Sequence, residues 1–430
     1  CGGVGRSTKE MREYDMNILE EIQNCPVEWK ELGEVCDTVT DFTAAGSFAS
    51  NAKNVKYIQE ASFAQLIRTT DLKSGFKGNN FVYVDEHAFN YLYRVNLDKE
   101  SLIMPNVGNC GEIYYIKPEN LPYENNVLGP NALLVRSSKE NNRYLFHLFQ
   151  SGQFQNKLAK ITSNTGQTKY NKTNLKKIRI PIPPLETQEK IVQILDKMTE
   201  YVTELTSELT SRKKQYSFYR DKLLSFEDEV YQVEWMTLGD IGKVSMCRRI
   251  LKNQTSDDGE IPFYKIGTFG RVATSYISRE LFEDYKLRFS YPKLGDILIS
   301  ASGTIGRTVV FNGEDSYFQD SNIVWLDHDE SQVLNRYLYY FYQINPWNVS
   351  DGGTISRLYN GNIEKTRIPV PSLEIQSRIV QVLDNFDAVC HDLNIGLPKE
   401  IELRQKQYEY FREKLLTFVA EGEYTESRVE

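Results

Sequence analysis

The sequence RIPIPPLETQ occupies residues 179–188 and returns as RIPVPSLEIQ at residues 367–376. In both copies the prolines keep the chain extended, because proline fixes φ and biases the residue before it away from helix. An apolar periodicity typical of a long helix begins directly after each copy. The doubled segment therefore predicts two long helices, each preceded by an extended stretch.

Other parts of the chain are also written twice, and they follow the same order. The matching pairs are VEWKELG at 27–33 with VEWMTLG at 233–239, RYL at 143–145 with RYL at 336–338, and RKKQY at 212–216 with RQKQY at 404–408. Chance does not produce so many matches in one order. The chain is therefore a tandem repeat in which each copy is a globular domain followed by a long helix.

The apolar positions of both helices follow the heptad seam of a coiled coil. Over residues 191–226 they recur at steps of four and three. A helix over residues 186–226 would be about 60 Å long at ~1.5 Å per residue. The second helix, over residues 374–419, takes one additional step of four beside Gly396 and Pro398. Because such a stutter unwinds a supercoil locally and proline interrupts a helix, the sequence predicts a kink or break there.

Two helices of matched seam in one chain most economically pack on each other, and a pseudo-twofold relation between the halves makes them antiparallel. The alternative is two unrelated amphipathic helices, each packed on its own domain. Short strands with glycine-rich turns indicate mixed domains. The predicted fold class is α+β, with two repeated mixed α/β domains separated by a long antiparallel two-helix coiled coil and pseudo-twofold symmetry.

These patterns divide the chain into consecutive segments. They are an N-terminal extension (1–26), a first domain (27–185), a first long helix (186–226), a linker (227–232), a second domain (233–373), a second long helix (374–419) and an acidic tail (420–430).

Composition excludes several classes of protein. The cysteines form no CxxC pair and the four histidines are widely spaced, so neither a metal site nor a disulfide framework is expected. No apolar run approaches the roughly 20 residues of a membrane span, and a cytoplasmic location is expected. The formal charge of −8 over 430 residues predicts modest affinity for nucleic acid by the chain alone.

Two short motifs suggest catalysis only superficially. SGTIGRT at residues 302–308 lacks the lysine and the glycine spacing of a phosphate-binding loop. Asn345-Pro346-Trp347 is similar to part of an amino-methyltransferase motif, but no glycine-rich cofactor loop precedes it. No catalytic residue, metal ligand or cofactor is therefore expected in this chain.

A resemblance to a known family adds to this interpretation. GDILIS (295–300), SGTIG (302–306), QDSN (319–322), GGT (352–354) and the second proline segment together resemble the target-recognition domain and helix of type I restriction-modification specificity subunits. The first copy carries the weaker variants VGNCG (107–111), GPNALLV (129–135) and SNTGQ (163–167). The resemblance covers roughly residues 27–419, and its most specific part is the doubled proline segment followed by a long helix.

The family implies a non-enzymatic subunit whose two target-recognition domains each read one half of a split, asymmetric site in double-stranded DNA. Modification (methyltransferase) subunits, two of them by expectation, dock on the helices and recruit restriction subunits; no membrane partner is expected. S-adenosylmethionine, ATP and Mg are then expected on those partners only. The sequence leaves open a non-enzymatic adaptor and a stand-alone DNA-binding protein with paired domains on a helical spacer.

Candidate contact residues are polar side chains in loops beside the repeats, because arginine pairs with guanine, amides pair with adenine, and lysine and hydroxyls reach the backbone. For DNA they are Arg68, Thr69, Thr70, Lys73, Lys160, Asn164, Gln167, Lys169, Arg248, Arg249, Lys252, Lys265, Arg271, Ser356 and Arg357. For the partner-binding helices they are Lys213, Tyr216, Arg220, Lys406, Tyr408 and Arg412.

Overall fold

A computed structural model describes residues 18–163, 166–226, 233–347 and 357–418. The chain divides into two compact units. The first unit contains the chain up to Glu204 together with the segment from Glu402 onward, and the second unit is Leu205–Ile401. Each long helical region therefore contributes residues to both units.

The two copies of the repeat contain matching strands. In the first copy they are β1 (Glu28–Glu31), β2 (Thr38–Asp41), β3 (Ala64–Ile67), β4 (Val82–Val84), β5 (Ser101–Pro105), β6 (Tyr114–Ile116), β7 (Asn126–Leu128), β8 (Ala132–Arg136) and β9 (Arg179–Ile182). In the second copy they are β10 (Glu234–Thr237), β11 (Lys243–Ser245), β12 (Ile261–Tyr264), β13 (Tyr276–Ile277), β14 (Ile297–Ser300), β15 (Thr308–Val310), β16 (Tyr317–Phe318), β17 (Ile323–Asp327) and β18 (Arg367–Val370).

Sheet topology repeats strand for strand. The first copy forms sheets of order β2-β8-β5-β6 and β4-β3-β7, and the second forms β11-β17-β14-β15 and β13-β12-β16. Pairing is antiparallel except between β3 and β7 and between their counterparts β12 and β16. The tandem repeat in the sequence is therefore a repeat of mixed domains in the fold.

Helices complete both copies. In the first copy they are α1 (residues 18–23), α2 (Leu32–Val35), α3 (Phe48–Asn54), α4 (Thr69–Lys73), α5 (Glu86–Tyr91), α6 (Asn142–Gln150), α7 (Gly152–Ile161), α8 (Lys172–Lys176) and α9 (Leu185–Ser225). In the second copy they are α10 (Leu238–Ile241), α11 (Arg279–Arg288), α12 (Asn335–Gln343), α13 (Asn360–Glu364), α14 (Leu373–His391) and α15 (Leu397–Leu416).

Within each domain, the repeated VEW segment pairs with the repeated proline segment. Strand β1 of the VEW segment pairs with β9 of the proline segment, and β10 pairs with β18 in the same register. A two-stranded ladder tolerates proline, which cannot donate a ladder hydrogen bond. Tyr144 and Tyr337 anchor the prolines, because each hydroxyl donates to the carbonyl of Pro181 or Pro369 at 2.9 Å. This ladder places the start of each long helix.

Each domain has two apolar cores. One core lies among the helices and includes residues of the long helical regions, such as Ile191 and Leu415 in the first unit. The other core lies between the two sheets, around Leu66 in the first domain and Phe263 in the second. The four-stranded sheet therefore lies between the two cores, with one face toward the helices and the other toward the three-stranded sheet.

The long helices confirm the prediction made from the heptad seam. Helix α9 is continuous over 41 residues. The second region is interrupted between His391 and Leu397, at the predicted break. Inside the second unit, Tyr219 stacks on Phe386 and Tyr216 contacts His391, so residue numbers rise along one helix as they fall along the other. The two helices run antiparallel there.

Part of the N-terminal extension packs on the first unit. Ile22 of α1 is buried in the first helical core, and Glu21 forms an ion pair with Lys190 at 2.7 Å. Residues 18–26 are therefore held against the first domain and its long helix. The predicted linker (227–232) and residues 420–430 of the tail lie outside the described residues.

Candidate nucleic-acid interface

Glycine-rich turns occupy the same place in both domains. One turn joins β5 to β6 and contains Gly108 and Gly111, and the other joins β14 to β15 and contains Gly303 and Gly306. All four glycines have positive φ, between 67° and 115°. Side chains other than glycine rarely adopt this backbone conformation, so the glycines permit the tight turns.

In the second domain the turn is held by the segment after β16. The Ala301 amide donates to the Asn322 carbonyl at 2.8 Å, and the Ser302 hydroxyl donates to the Asn322 side chain at 2.8 Å. Ser302 also forms a bridge with Arg357, whose guanidinium donates to the Ser321 carbonyl at 2.8 Å. The QDSN segment therefore connects the turn to a basic side chain.

The first domain repeats these contacts. The Asn106 amide donates to the Asn131 carbonyl at 3.1 Å, and Val107 forms a bridge with Lys169. The Gly108 amide donates to the Thr168 carbonyl at 2.8 Å. Lys169 is therefore the counterpart of Arg357, and each domain places a cation at this position beside its turn.

Lys73 and Arg68 lie on or next to α4 in the first domain and are both paired. Lys73 reaches Glu112 of the turn at 3.5 Å, which brings α4 beside the turn. The Arg68 guanidinium donates to Asp71 at 2.7 Å and to the Asn80 carbonyl, and its hydrogen bond to the Asp71 carboxylate raises the pKa of Arg68. These partners occupy Nε and Nη2 of Arg68.

The remaining candidates of the first domain differ in exposure. Thr70, Lys160, Gln167 and Lys169 are exposed, and Thr69 is half-buried. In the described part of the chain the side chains of Lys160 and Lys169 form no ion pair. Asn164 lies outside the described residues.

In the second domain the QDSN segment also gathers other candidates. Asp320 pairs with Arg249 at 3.3 Å, and the Gln319 side chain accepts from the Ile266 amide, next to Lys265, at 3.0 Å. Lys265 itself donates to the Ser275 hydroxyl at 2.8 Å. Sequence reasoning listed the cations and missed the residues that hold them, although QDSN was visible as a motif.

The other second-domain candidates lie around this cluster. Arg248 is exposed and stacks over Phe289 at 5.3 Å. Lys252 and Arg271 are exposed, and neither has an ion-pair partner within the described ranges. Ser356 lies outside the described residues.

The candidate residues on the helices fall into two groups. Lys213 and Lys406 are exposed, with Lys406 paired to Glu402 at 2.5 Å. Arg220 pairs with Asp221 at 2.7 Å and Arg412 pairs with Glu413 at 3.2 Å, both largely shielded from solvent. The first group therefore consists of four basic side chains at or near the surface of the helices.

Tyr216 and Tyr408 form the second group, and both point inward. They are 4% and 8% exposed, so their rings offer little surface to a partner. Tyr216 donates to Gln343 of α12 at 3.0 Å, and Tyr408 donates to Gln150 of α6 at 3.3 Å. Each domain is therefore packed against the helix that belongs to the other copy of the repeat.

Each domain also binds the helix of its own copy through a carboxylate. In the first unit Asp196 accepts from Arg143 at 2.8 Å and from His147 at 2.7 Å. In the second unit Asp384 accepts from Arg336 at 2.7 Å and from Tyr340. Burial lowers the pKa of His147, and the hydrogen bond to Asp196 opposes this only in part. The imidazole is therefore neutral in the folded unit near pH 7.

No group of three or more metal-ligating side chains is present in the described ranges of the chain. Within the same ranges, no helix is both long enough and apolar enough to cross a membrane.

Comparisons with known proteins agree with the repeat. The family model described as "Type I restriction modification DNA specificity domain" matches residues 26–212 and 232–403. A putative type I restriction enzyme specificity subunit from Haemophilus influenzae is 55% identical over 298 residues, which cover 67% of this chain and 76% of that protein.

A second relative is the specificity subunit of the Escherichia coli type I restriction enzyme EcoR124I/EcoR124II. It is 35% identical over 261 residues, covering 56% of this chain and 63% of that protein. A solved chain, from work on complex assembly and conformational transition of the type I R-M system, aligns with a TM-score of 0.59 at 16% identity. The alignment covers 91% of this chain and 98% of the solved one, and it confirms the predicted fold class.

Proposed function

The chain belongs to the family of type I restriction-modification specificity subunits, non-catalytic components that recognise DNA, and from that premise we propose that it reads a two-part site in double-stranded DNA. Each domain would read one half of the site. Since the two domains differ in sequence, the two half-sites would differ too. The site is then asymmetric, as the sequence predicted.

The observation that carries this proposal is the pair of equivalent turns. Lys169 and Arg357 hold matching backbone positions beside glycine-rich turns in two domains that share a topology but differ in sequence. Arginine reads guanine with two hydrogen bonds, whereas lysine acts as a point charge toward bases or phosphates. The same scaffold therefore presents different chemistry to the two halves of a site.

The contacts around Arg357 suit base readout. Its donation to the Ser321 carbonyl uses one nitrogen and leaves other donors of the guanidinium fork available. Arg249 lies beside the same segment, with most of its side chain exposed despite the contact with Asp320. We infer that Arg357 specifies sequence and that Arg249 contributes mainly to phosphate binding.

The partners follow from the family. Modification subunits would dock on the outward face of the helices, two of them by the pseudo-twofold argument, and restriction subunits would join through them. S-adenosylmethionine, ATP and Mg would bind those partners and not this chain. The proposed place of action is the cytoplasm, where such a complex meets DNA.

Reconstitution tests the proposal. The purified chain is mixed with its modification subunit and S-adenosylmethionine, and modified bases are mapped on plasmid DNA. We expect methylation at a two-part motif with a spacer of fixed length, and none by either component alone. Methyl transfer by this chain alone, or marking that does not depend on the chain, would contradict the proposal.

A variant pair assigns the halves. Arg357→Ala is expected to weaken discrimination in one half-site by about 1–3 kcal/mol, the value of a bidentate base contact. Lys169→Ala is expected to act on the other half-site, with a smaller loss. Arg68→Ala serves as the comparison, because Arg68 is already bound to Asp71. Equal effects of all three variants on both half-sites would contradict the assignment.

A further inference from the structure

A tryptophan lies directly beneath the glycine-rich turn of the second domain. Trp347 is 7% exposed and packs against Tyr342, with ring centroids 5.0 Å apart. A Cβ atom added at Gly306 would lie 2.7 Å from the indole Nε1, 2.9 Å from Oδ1 of Asn345 and 3.0 Å from the indole Cδ1. Since real Cβ atoms do not approach so closely, the backbone of the turn rests on the edge of the indole ring.

The opposite side of the turn is fixed by the end of β14. The Gly306 amide donates to the Ser300 carbonyl at 2.9 Å, and the Arg307 amide donates to the Ser300 hydroxyl at 2.9 Å. The turn is therefore held between Ser300 on one side and Trp347 on the other. A change in the size of the indole ring would alter the position of the turn.

Packing alone does not explain the choice of tryptophan. Within the described residues Nε1 of Trp347 has no hydrogen-bond partner, and a buried donor without a partner is destabilising. A phenylalanine would fill much of the same space without that cost. The first domain has this simpler solution, since Phe154 stacks on Phe149 at 4.3 Å in the matching positions.

The first domain supports its turn by a different contact. Gln155, next to Phe154, donates from Nε2 to the Gly111 carbonyl at 3.0 Å. The same amide also donates to the Phe149 carbonyl at 2.6 Å. One turn is thus supported by a ring edge and the other by an amide hydrogen bond.

We propose that Trp347 is a positioning residue that sets where the turn at residues 302–306 meets DNA, and that Gln155 has this role in the first domain. The inference rests on the proposed function and deepens it by naming residues that determine specificity without contacting DNA. It also gives a role other than methyl transfer to the Asn345-Pro346-Trp347 segment.

The test uses the full-length chain assembled with its modification subunit. After the wild-type motif is mapped, methylation rates are compared between the preferred duplex and duplexes with one substituted base pair in one half. Trp347→Phe is expected to reduce discrimination about tenfold in the half-site read by the second domain, a change that corresponds to one good base contact. Gln155→Ala is expected to do the same in the other half only.

Each variant carries its own control, because the half-site read by the unchanged domain reports whether the chain is folded and assembled. A loss confined to the predicted half supports the inference. Unchanged discrimination in both halves, or an equal loss in both, would overturn it. Absence of any sequence-dependent marking by the wild-type assembly would overturn the proposed function itself, and that outcome is distinguishable from the others.

Discussion

At the junction between domain and helix in the first unit, Asp196 accepts hydrogen bonds from Arg143 and His147, and in the second unit Asp384 accepts them from Arg336 and Tyr340. The arginine and the carboxylate are common to both junctions. The third position accepts either an imidazole or a phenol, since both can donate to a carboxylate. Only the imidazole changes charge near neutral pH. The two halves therefore share one framework and differ in their response to acid.

A second shared contact binds each domain to the helix of the other copy, and breaking it is expected to have the largest effect. Tyr408→Ala and Tyr216→Ala each remove a buried ring and are expected to cost about 3–5 kcal/mol of unfolding free energy. Urea denaturation measures the cost. Tyr410→Ala is the control, because Tyr410 is exposed on the same helix and its loss should cost less than about 0.5 kcal/mol. Similar values for Tyr408→Ala and Tyr410→Ala would contradict the packing of each domain against the helix of the other copy.

Removing the common carboxylate is expected to have the next largest effect. Asp196→Ala and Asp384→Ala leave donors without an acceptor and should each cost about 1–3 kcal/mol, reduced by the partial exposure of both side chains. Asp98→Ala is the matched control, because it breaks the exposed contact with Arg136 and should cost about 0–1 kcal/mol. Urea denaturation of the three variants in parallel shows whether the two junction carboxylates contribute more to the unfolding free energy than Asp98 does.

The difference between the junctions predicts a pH effect confined to the first unit. The pKa of His147 is lowered by burial from an ordinary value of 6.5, so the unfolded chain takes up the proton first as the pH falls. The stability of the first unit is full above pH 6.5 and declines below it, by at most about 1.4 kcal/mol per pH unit. Arg143 and Arg412 lie near the ring and add to the cost of a positive charge there.

Exchanging His147 and Tyr340 tests this difference between the two units. His147→Tyr is expected to remove the decline between about pH 6.5 and 5, and Tyr340→His is expected to introduce one in the second unit. Thermal unfolding of the wild type and both variants across this range gives the slopes. Parallel curves for the wild type and His147→Tyr would show that His147 does not respond to acid.

The smallest effects on stability are expected on the outer face of the helices. Lys213→Glu and Lys406→Glu should change the unfolding free energy by no more than about 0.5 kcal/mol, because both side chains are exposed. Both are expected to weaken assembly with modification subunits more than they weaken DNA binding, as measured by co-purification and by titration of labelled duplex. Equal losses in the two assays would count against the helices as the docking surface.

Much of the fold was predictable because the repeat and the heptad seam can be recognised from the sequence without knowledge of long-range contacts. The break beside Gly396 and the strand–helix order followed from proline and from apolar spacing. The packing of each domain against the helix of the other copy was not predictable. The heptad seam shows that Tyr216 lies on the apolar face of its helix, but it does not show that the partner of Tyr216 is Gln343. The packing of α1 was not predicted, because it depends on contacts such as the ion pair of Glu21 with Lys190, which join segments far apart in the sequence.

The candidate interface was predictable in kind and not in detail. Counting cations in loops identified Lys169 and Arg357, which the fold places at equivalent positions. It also selected Arg68, which is bound to Asp71, and it missed Asp320 and Asn322. Composition indicates which side chains can bind DNA, whereas hydrogen bonds between distant segments determine which of them are held beside a turn.

If each half of the chain is a complete reading unit, a chain ending at Phe226 should still recognise DNA. Such a chain keeps the first domain and α9, and its exposed seam should make it a homodimer. Tyr216 of one copy can then take the place of Tyr408 against Gln150 of the other, as it does against Gln343 in the intact chain.

The measurement is a map of methylated bases after expression of this shortened chain with the modification subunit. Because twofold symmetry in the protein requires twofold symmetry in the target, we expect marking of a palindrome built from the first half-site and its inverted copy. The spacing should stay close to that of the intact site. A folded monomer, or continued marking of the original asymmetric site, would show that half of the chain is not a complete reading unit.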